Sequence, residues 1–483
     1  MAGAGVATGA RRWIAAALVL GTTGLATAAP RPILTNPPQL ASVNGVLEAT
    51  LQVGMQTFTV ANKLVTAPVY NGSYIPPTLR VRPGDTIALH FVNAIDQPTN
   101  LHYHGMNVSP LAPGDDVFLH IAPLQTYDYR IDIPATHPSG AFYYHPHQYG
   151  LTESQIMGGM SGLLIVDGLL APFPQLAGIT DREIVLKDIQ IKDGRLPDDI
   201  DPSAPTNRTV NGMLKPRIEI APGETQLWRI ANIGTDIYYK LRLDGHQFHV
   251  AARDGNRQNQ ITSTKELLMP PASRFEVLIQ AKKKGRYDFR ALKFNTGPVG
   301  DRYPGTVLAT MVVKGRKQTQ IALPTPDQFP PVPDLRSVPN RKPRTIVFSE
   351  SSDGNTFYIG GKEFDPTVVD TTVNLGDVEE WTIKNCSQEL HVFHIHQLDF
   401  QVTAVNGEPT PFTGYQDTVN MPFATGEGKV DEDCENGTPG IVTAIVPFIE
   451  PTNVGKFVYH CHIGEHEDNG MMAVIEVKDP GGE

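Results

Sequence analysis

The chain has 483 residues, 40% hydrophobic and 19% charged, which excludes a disordered protein and suits about three domains of roughly 150 residues each. Lys and Arg number 40 against 51 Asp and Glu, a net charge of −11 with no basic run, which excludes a nucleic-acid binder. Only 3 cysteines and no C-x-x-C spacing exclude a disulfide scaffold, whereas 15 histidines stand out.

The first element is a leader. Arg11-Arg12 precede an apolar run from Trp13 to Leu20 that continues to Leu25, and Ala26-Thr27-Ala28 reads as a small-residue cleavage site. Residues 1–28 are expected to be a signal peptide, its apolar core too short for an anchor. The protein is then expected to be exported, periplasmic or secreted. The arginine pair fits the twin-arginine route, although the wider consensus is incomplete. No later stretch is apolar for long enough to span a membrane, so no membrane anchor is expected.

The rest repeats at about 140–150 residues, a period that marks a duplicated domain. Val81–Thr86, Ile220–Thr225 and Val373–Val378 are turns with glycines at 84, 223 and 376. Each leads into an alternating apolar strand that ends on Asn93, Asn232 or Asn385, nine residues after its glycine. Trp228 and Trp381 follow the second and third glycines by five. Short alternating segments, 44 glycines and 41 prolines predict an all-β chain of β-sandwich domains. The expected boundaries are 29–172, 173–318, a Pro-rich linker over 319–343, and 344–483.

The histidines fall in this register. Eighteen and twenty residues after each glycine stand His102 and His104, then Leu241 and Leu243, then His394 and His396. The middle repeat therefore reads as a spacer without metal. Further pairs are His145/His147 and His460/His462, with His391 and His466 flanking. In a strand, residues i and i+2 share a face, so each H-x-H aims two imidazoles at one place. Cys461, between His460 and His462, points the other way, and the odd offset of His391 from His394 puts it on the cysteine side. His₂Cys with a weak methionine is a blue-copper ligand set, and Met471 follows His466 by five residues. A structural zinc site would close with four strong ligands instead. His90, His120, His137, His246 and His249 lack partner clusters and read as ordinary residues.

Four motifs, LHYHG (101–105), FYYHPH (142–147), HVFHIH (391–396) and YHCHIGEHEDNGMM (459–472), resemble the multicopper oxidases of the bacterial three-domain laccase-like type. The resemblance covers nearly all of the chain after the leader. It implies three cupredoxin-like Greek-key sandwiches and four copper ions per chain. Type 1 copper would take His391, Cys461, His466 and Met471. Type 2 copper would take His102 and His394, and the type 3 pair His104, His145, His147, His396, His460 and His462. Electrons from a small-molecule reductant would pass from Cys461 through His460 and His462 to dioxygen. Glu467 and Asp115 match the family's acids at the cluster, with Asp116 competing for the second role. Gln148 stands where many relatives have a histidine, but that position is not a ligand in the family.

The resemblance implies a copper-dependent oxidoreductase with dioxygen as acceptor, acting on phenolic or similar aromatic reductants. The alternative is a metallo-oxidase of Cu(I), Fe(II) or Mn(II) in metal tolerance, against which a Met-rich insert is absent. A remote alternative is a copper-free structural relative involved in cell division, which would have lost the histidines and cysteine retained here. Copper nitrite reductase is disfavoured by the H-x-H pairs His102/His104 and His145/His147, since it has no type 3 pair. The sequence leaves Cys386 and Cys434 open between a disulfide and two free thiols, and leaves the oligomeric state open.

Overall fold

The structure is a computed structural model that describes residues 1–5, 31–197, 200–201, 204–426, 434 and 437–481. Apart from residues 1–5, the expected signal peptide lies outside the described residues. Among the described residues from Pro32 onward the chain is built of β-strands, with two short α-helices, α1 (Thr152–Gly158) and α2 (Gly464–Asp468), and four single 3-10 turns. Among the described residues, no helix is long and apolar enough to cross a membrane.

The fold is all-β, with three cupredoxin-like sandwiches in one chain: the repeat predicts the sandwiches and the family resemblance their cupredoxin-like type. Each repeat contributes a five-stranded sheet with four strands in a common order; the fifth is added at one edge in the first repeat and at the opposite edge in the other two. In the first it runs Gln39–Ala41, Thr78–Val81, Gly162–Val166, Gly140–His145, His102–His104. In the second it runs Arg217–Ile220, Thr306–Val313, Gly285–Leu292, Tyr239–Leu243, Glu266–Met269. In the third it runs Thr371–Asn374, Met472–Lys478, Gly455–Cys461, His391–Ile395, Thr418–Met421. The strand before each turn glycine pairs in parallel with the last strand of its repeat, the crossed connection of a Greek key. A second sheet of four strands in the first repeat and six in each of the others closes each sandwich.

Two conserved features of the repeat acquire a physical reason. Gly84, Gly223 and Gly376 have φ of 89°, 81° and 94°, which a side chain would strain. Asn93, Asn232 and Asn385 are fully buried, and their Nδ2 groups donate to the carbonyls of Gln97 (2.9 Å), Ile237 (2.8 Å) and Glu389 (2.8 Å). Each asparagine thus ties down the loop that launches the next strand of the five-stranded sheet. In the first and third repeats that strand carries histidines; in the middle one Leu241 and Leu243 take the place and are buried in the core, each contributing about 1.5–3 kcal/mol.

Cys386 and Cys434 form a disulfide with a Cα–Cα distance of 5.2 Å, which settles the question the sequence leaves open. It anchors the start of the loop that holds Ser387 and Glu389 before His391.

Candidate metal centre

Strand pairing brings the motifs together. His102 lies opposite His145 in the first sandwich, and His394 opposite His460 and Phe393 opposite Cys461 in the third. Alternation then puts Cys461 on one face of its strand and His460 and His462 on the other. Two groups of buried donors result, bridged by one tripeptide.

On the cysteine face, Cys461 Sγ lies 3.8 Å from His391 Nδ1 and 3.6 Å from His466 Nδ1, and the two nitrogens are 3.0 Å apart. A metal ion with bonds of about 2.0 Å to nitrogen and 2.3 Å to sulfur at angles near 120° would set nitrogen and sulfur about 3.7 Å apart, so the triangle fits one ion. The other ring nitrogens are held from outside. His391 Nε2 meets Ser387 Oγ at 2.8 Å, and His466 Nε2 meets Glu389 Oε1 at 3.0 Å. Such outer bonds fix which nitrogen faces a metal. The Val392 N–H donates to Cys461 Sγ (3.4 Å). Met471 is fully buried and linked to the same group through backbone, its N–H donating to His466 O (2.9 Å) and its carbonyl accepting from Cys461 N–H (3.0 Å).

On the other face, eight histidines from the first and third sandwiches converge. His102 stacks on His396 and His104 on His394, both with ring centroids 3.9 Å apart. His460 Nε2 lies 3.1 Å from His396 Nε2 and 3.3 Å from His147 Nε2. Outward nitrogens are again occupied: His102 Nδ1 by Asp115 Oδ2 (3.0 Å), His145 Nδ1 by the Pro146 carbonyl (2.8 Å), His394 Nδ1 by the Asp417 carbonyl (2.8 Å) and His460 Nδ1 by the Cys461 carbonyl (2.9 Å). His102 Nε2, His145 Nε2, His394 Nε2 and both nitrogens of His104 are buried with no protein partner. An unmet buried polar atom costs about 1–3 kcal/mol, so this many aimed at one place fit a cluster of metal ions. His462 differs, since its Nε2 meets the Tyr143 hydroxyl at 2.9 Å.

Burial pushes the imidazoles of His102, His104, His145, His394, His396 and His462 well below their usual range, and those of His147 and His391 to about 4 and about 3. Neutral imidazole is the form that binds a metal. Sets such as His147/His396/His460, His102/His394/His396 and His391/Cys461/His466 each keep their donor atoms within 4.8 Å of one another.

The two carboxylates read from the sequence both reach the cluster. Asp115 is fully buried; it accepts from Tyr103 N–H (3.0 Å) and Gln397 Nε2 (2.9 Å) and faces His102. Asp116 accepts instead from the Phe118 N–H and stays half-exposed. Glu467 lies one residue past His466 on α2, where neighbours point about 100° apart. Its oxygens are 3.2 Å from His460 Nδ1 and 3.5 Å from His147 Nε2. Burial works against its ionisation, yet the imidazoles of His147, His460 and His462 hold it well below the usual carboxylate range.

Multicopper oxidase family models match residues 52–169, 182–316 and 337–481, one on each sandwich. The chain belongs to the multicopper oxidase family. The family implies copper binding and copper-dependent oxidoreduction. The multicopper oxidase mco of Staphylococcus aureus is 27% identical over 418 residues, covering 84% of this chain and 83% of that protein. The cell division protein FtsP of Escherichia coli is 25% identical over 410 residues, covering 81% and 83%. A solved multicopper oxidase of Campylobacter jejuni, titled a metallo-oxidase, shares the fold with a TM-score of 0.77 at 24% identity, covering 93% of this chain and 96% of that one.

Several residues around the centre carry no sequence signal. Ser387, Glu389, Gln397 and Asp417 sit in the third sandwich and Arg274 in the second, each a single polar residue with no repeated spacing. Glu350, Glu465 and Asp301 gather near Glu389 and His466. Burial pushes Glu350 and Glu465 up to about 7. Glu389 is held near 2, because the His466 ring outweighs the burial that opposes its charge. The five histidines outside the motifs make ordinary contacts or lie at the surface. His90 pairs with Asp128, His137 accepts from Asn107 N–H, His246 accepts from Lys282 N–H, His249 meets Ser263, and His120 is exposed.

Proposed function

We propose that this chain is a copper-dependent oxidase that takes single electrons from a small reductant at His391, Cys461, His466 and Met471 and reduces dioxygen to water at the eight-histidine cluster. The reading assigns His102 and His394 to a type 2 copper, and His104, His145, His147, His396, His460 and His462 to a type 3 pair. Four bound copper ions would supply one-electron acceptance from the reductant and delivery of four electrons to dioxygen. The observation that carries the reading is the tripeptide His460-Cys461-His462, whose sulfur faces one donor group and whose imidazoles face the other. Its covalent bonds give electrons a short path between them. Glu467, touching His460 and His147, is placed to pass protons to reduced oxygen, and Asp115 orients His102. We place the protein outside the cytoplasm on the strength of its leader.

Phenolic or similar aromatic reductants follow from the laccase-like motifs. Beside His466, the ionised Glu389 and the carboxyl groups of Glu350, Glu465 and Asp301, which a cation can deprotonate as it binds, favour a second class, cationic reductants such as Fe(II), Cu(I) or Mn(II). Oxygen uptake measured with a phenol and with Fe(II), for the parent and for Glu350→Gln and Glu465→Gln, tests both parts. Either reductant should consume one dioxygen per four electrons. If the cationic class is right, each substitution raises KM for Fe(II) several-fold and leaves the phenol unchanged. Equal effects on both reductants would remove the cationic reading, and no oxygen uptake with any reductant would remove the oxidase reading.

A further inference from the structure

Buried charge concentrates where the middle sandwich, which holds no histidine of the cluster, meets it. Arg274, the first residue of strand Arg274–Gln280, is fully buried. Its Nη1 donates to Asp417 Oδ1 (2.9 Å) and its Nη2 to Asp417 Oδ2 (2.5 Å). Nη1 also donates to the Ala272 carbonyl (3.0 Å) and Nε to the Ala141 carbonyl (3.1 Å). Asp254, from the same sandwich, lies 3.7 Å from Nη1 and accepts the Arg274 backbone N–H (2.9 Å). The guanidinium is therefore locked by contacts with all three sandwiches.

Asp417 stands against two of the histidines. Its carbonyl accepts from His394 Nδ1 (2.8 Å), and its Oδ1 lies 3.4 Å from His104 Nε2. Donor atoms of His104, His394 and Asp417 all lie within 4.8 Å of one another. A carboxylate there is itself a potential metal ligand, and an oxygen ligand would displace the imidazole set that the other motifs build. What separates Asp417 from that role is Arg274, which engages both carboxylate oxygens in a bidentate fork.

We propose that Arg274 is a positioning residue for the copper cluster. It holds the Asp417 carboxylate beside His104, short of a hydrogen bond, and keeps the Asp417 carbonyl on His394, so that Asp417 does not become a ligand. The inference rests on the copper reading above. It gives the middle sandwich a part in the site although it donates no ligand.

The test uses the full-length protein loaded with copper. Copper content, the type 2 EPR signal and resistance to a chelator are measured for the parent, R274Q, D417N and R274Q/D417N, with the blue absorption of the Cys461 site as the folding control. R274Q should keep the blue absorption, change the type 2 hyperfine splitting and weaken cluster copper about 10–100-fold, the usual effect of losing an outer partner. D417N should keep the type 2 signal, because the carbonyl at 417 still serves His394. The double variant should return toward the parent signature, since no freed carboxylate is left to bind. The proposal is overturned if R274Q leaves signal and chelator resistance unchanged, if D417N loses the type 2 signal, or if the double variant is no closer to the parent than R274Q. A parent that took up no copper would sink the copper reading and this one together. A four-copper parent with an unaltered R274Q would sink this one alone.

Discussion

Cys461→Ser is expected to abolish the intense blue absorption and all reductant-driven oxygen uptake while leaving a folded protein. The cysteine ends strand Gly455–Cys461 and is fully buried. Serine differs by one atom and keeps the backbone pairing with Phe393, and its hydroxyl sits among the Val392 N–H and two imidazoles, so the fold loses no more than about 1–3 kcal/mol. What serine cannot supply is the soft sulfur that joins His391 and His466 in one donor triangle and leads through the backbone to His460 and His462. Absorption spectra and an oxygen electrode decide the matter. A blue Cys461→Ser protein, or one that still consumes oxygen at the parent rate, would remove the assignment.

Glu467→Gln has the second largest expected effect. The amide matches the carboxylate in shape but neither releases nor takes up a proton under these conditions. Dioxygen reduction consumes protons at the cluster, and Glu467 is the carboxylate lying 3.2 Å from His460 Nδ1 and 3.5 Å from His147 Nε2. A positioned acid–base group contributes roughly 10²–10⁴-fold, so kcat should fall within that range. Electron entry should be untouched: the blue colour bleaches on adding reductant as fast as in the parent and returns slowly in air. A variant in which bleaching slows while its return does not would place Glu467 in electron entry instead.

Both results depend on features legible in the sequence for one reason: the site is built from strands with a period of two. H-x-H puts two imidazoles on one face and His460-Cys461-His462 splits its donors between two faces, so local spacing alone separates the two groups. The repeat of Gly84, Gly223 and Gly376 likewise exposes the three sandwiches, because the same turn and the same asparagine are needed each time. The residues that hold the histidines from outside were not legible. Glu389 reaches His466 only because the loop after Cys386 folds over it. Asp417 reaches His394 through a strand pairing 23 residues away in the chain, and Arg274 reaches Asp417 from another sandwich. No spacing encodes such contacts, which arise from tertiary packing. Asp115 and Asp116 are indistinguishable as neighbours until the backbone shows which one turns toward His102. The middle repeat, expected from its sequence to be a spacer, sends Arg274 into the wall of the cluster.

The central claim is that the donors form two copper centres in one chain, as opposed to a family member that keeps the fold without the metal. Copper quantitation of the purified, reconstituted protein with optical and EPR spectra tests it most directly. The account predicts four copper ions per chain, an intense blue band, and two EPR-active ions with the remaining pair silent. A colourless protein that retains no copper after reconstitution would contradict it.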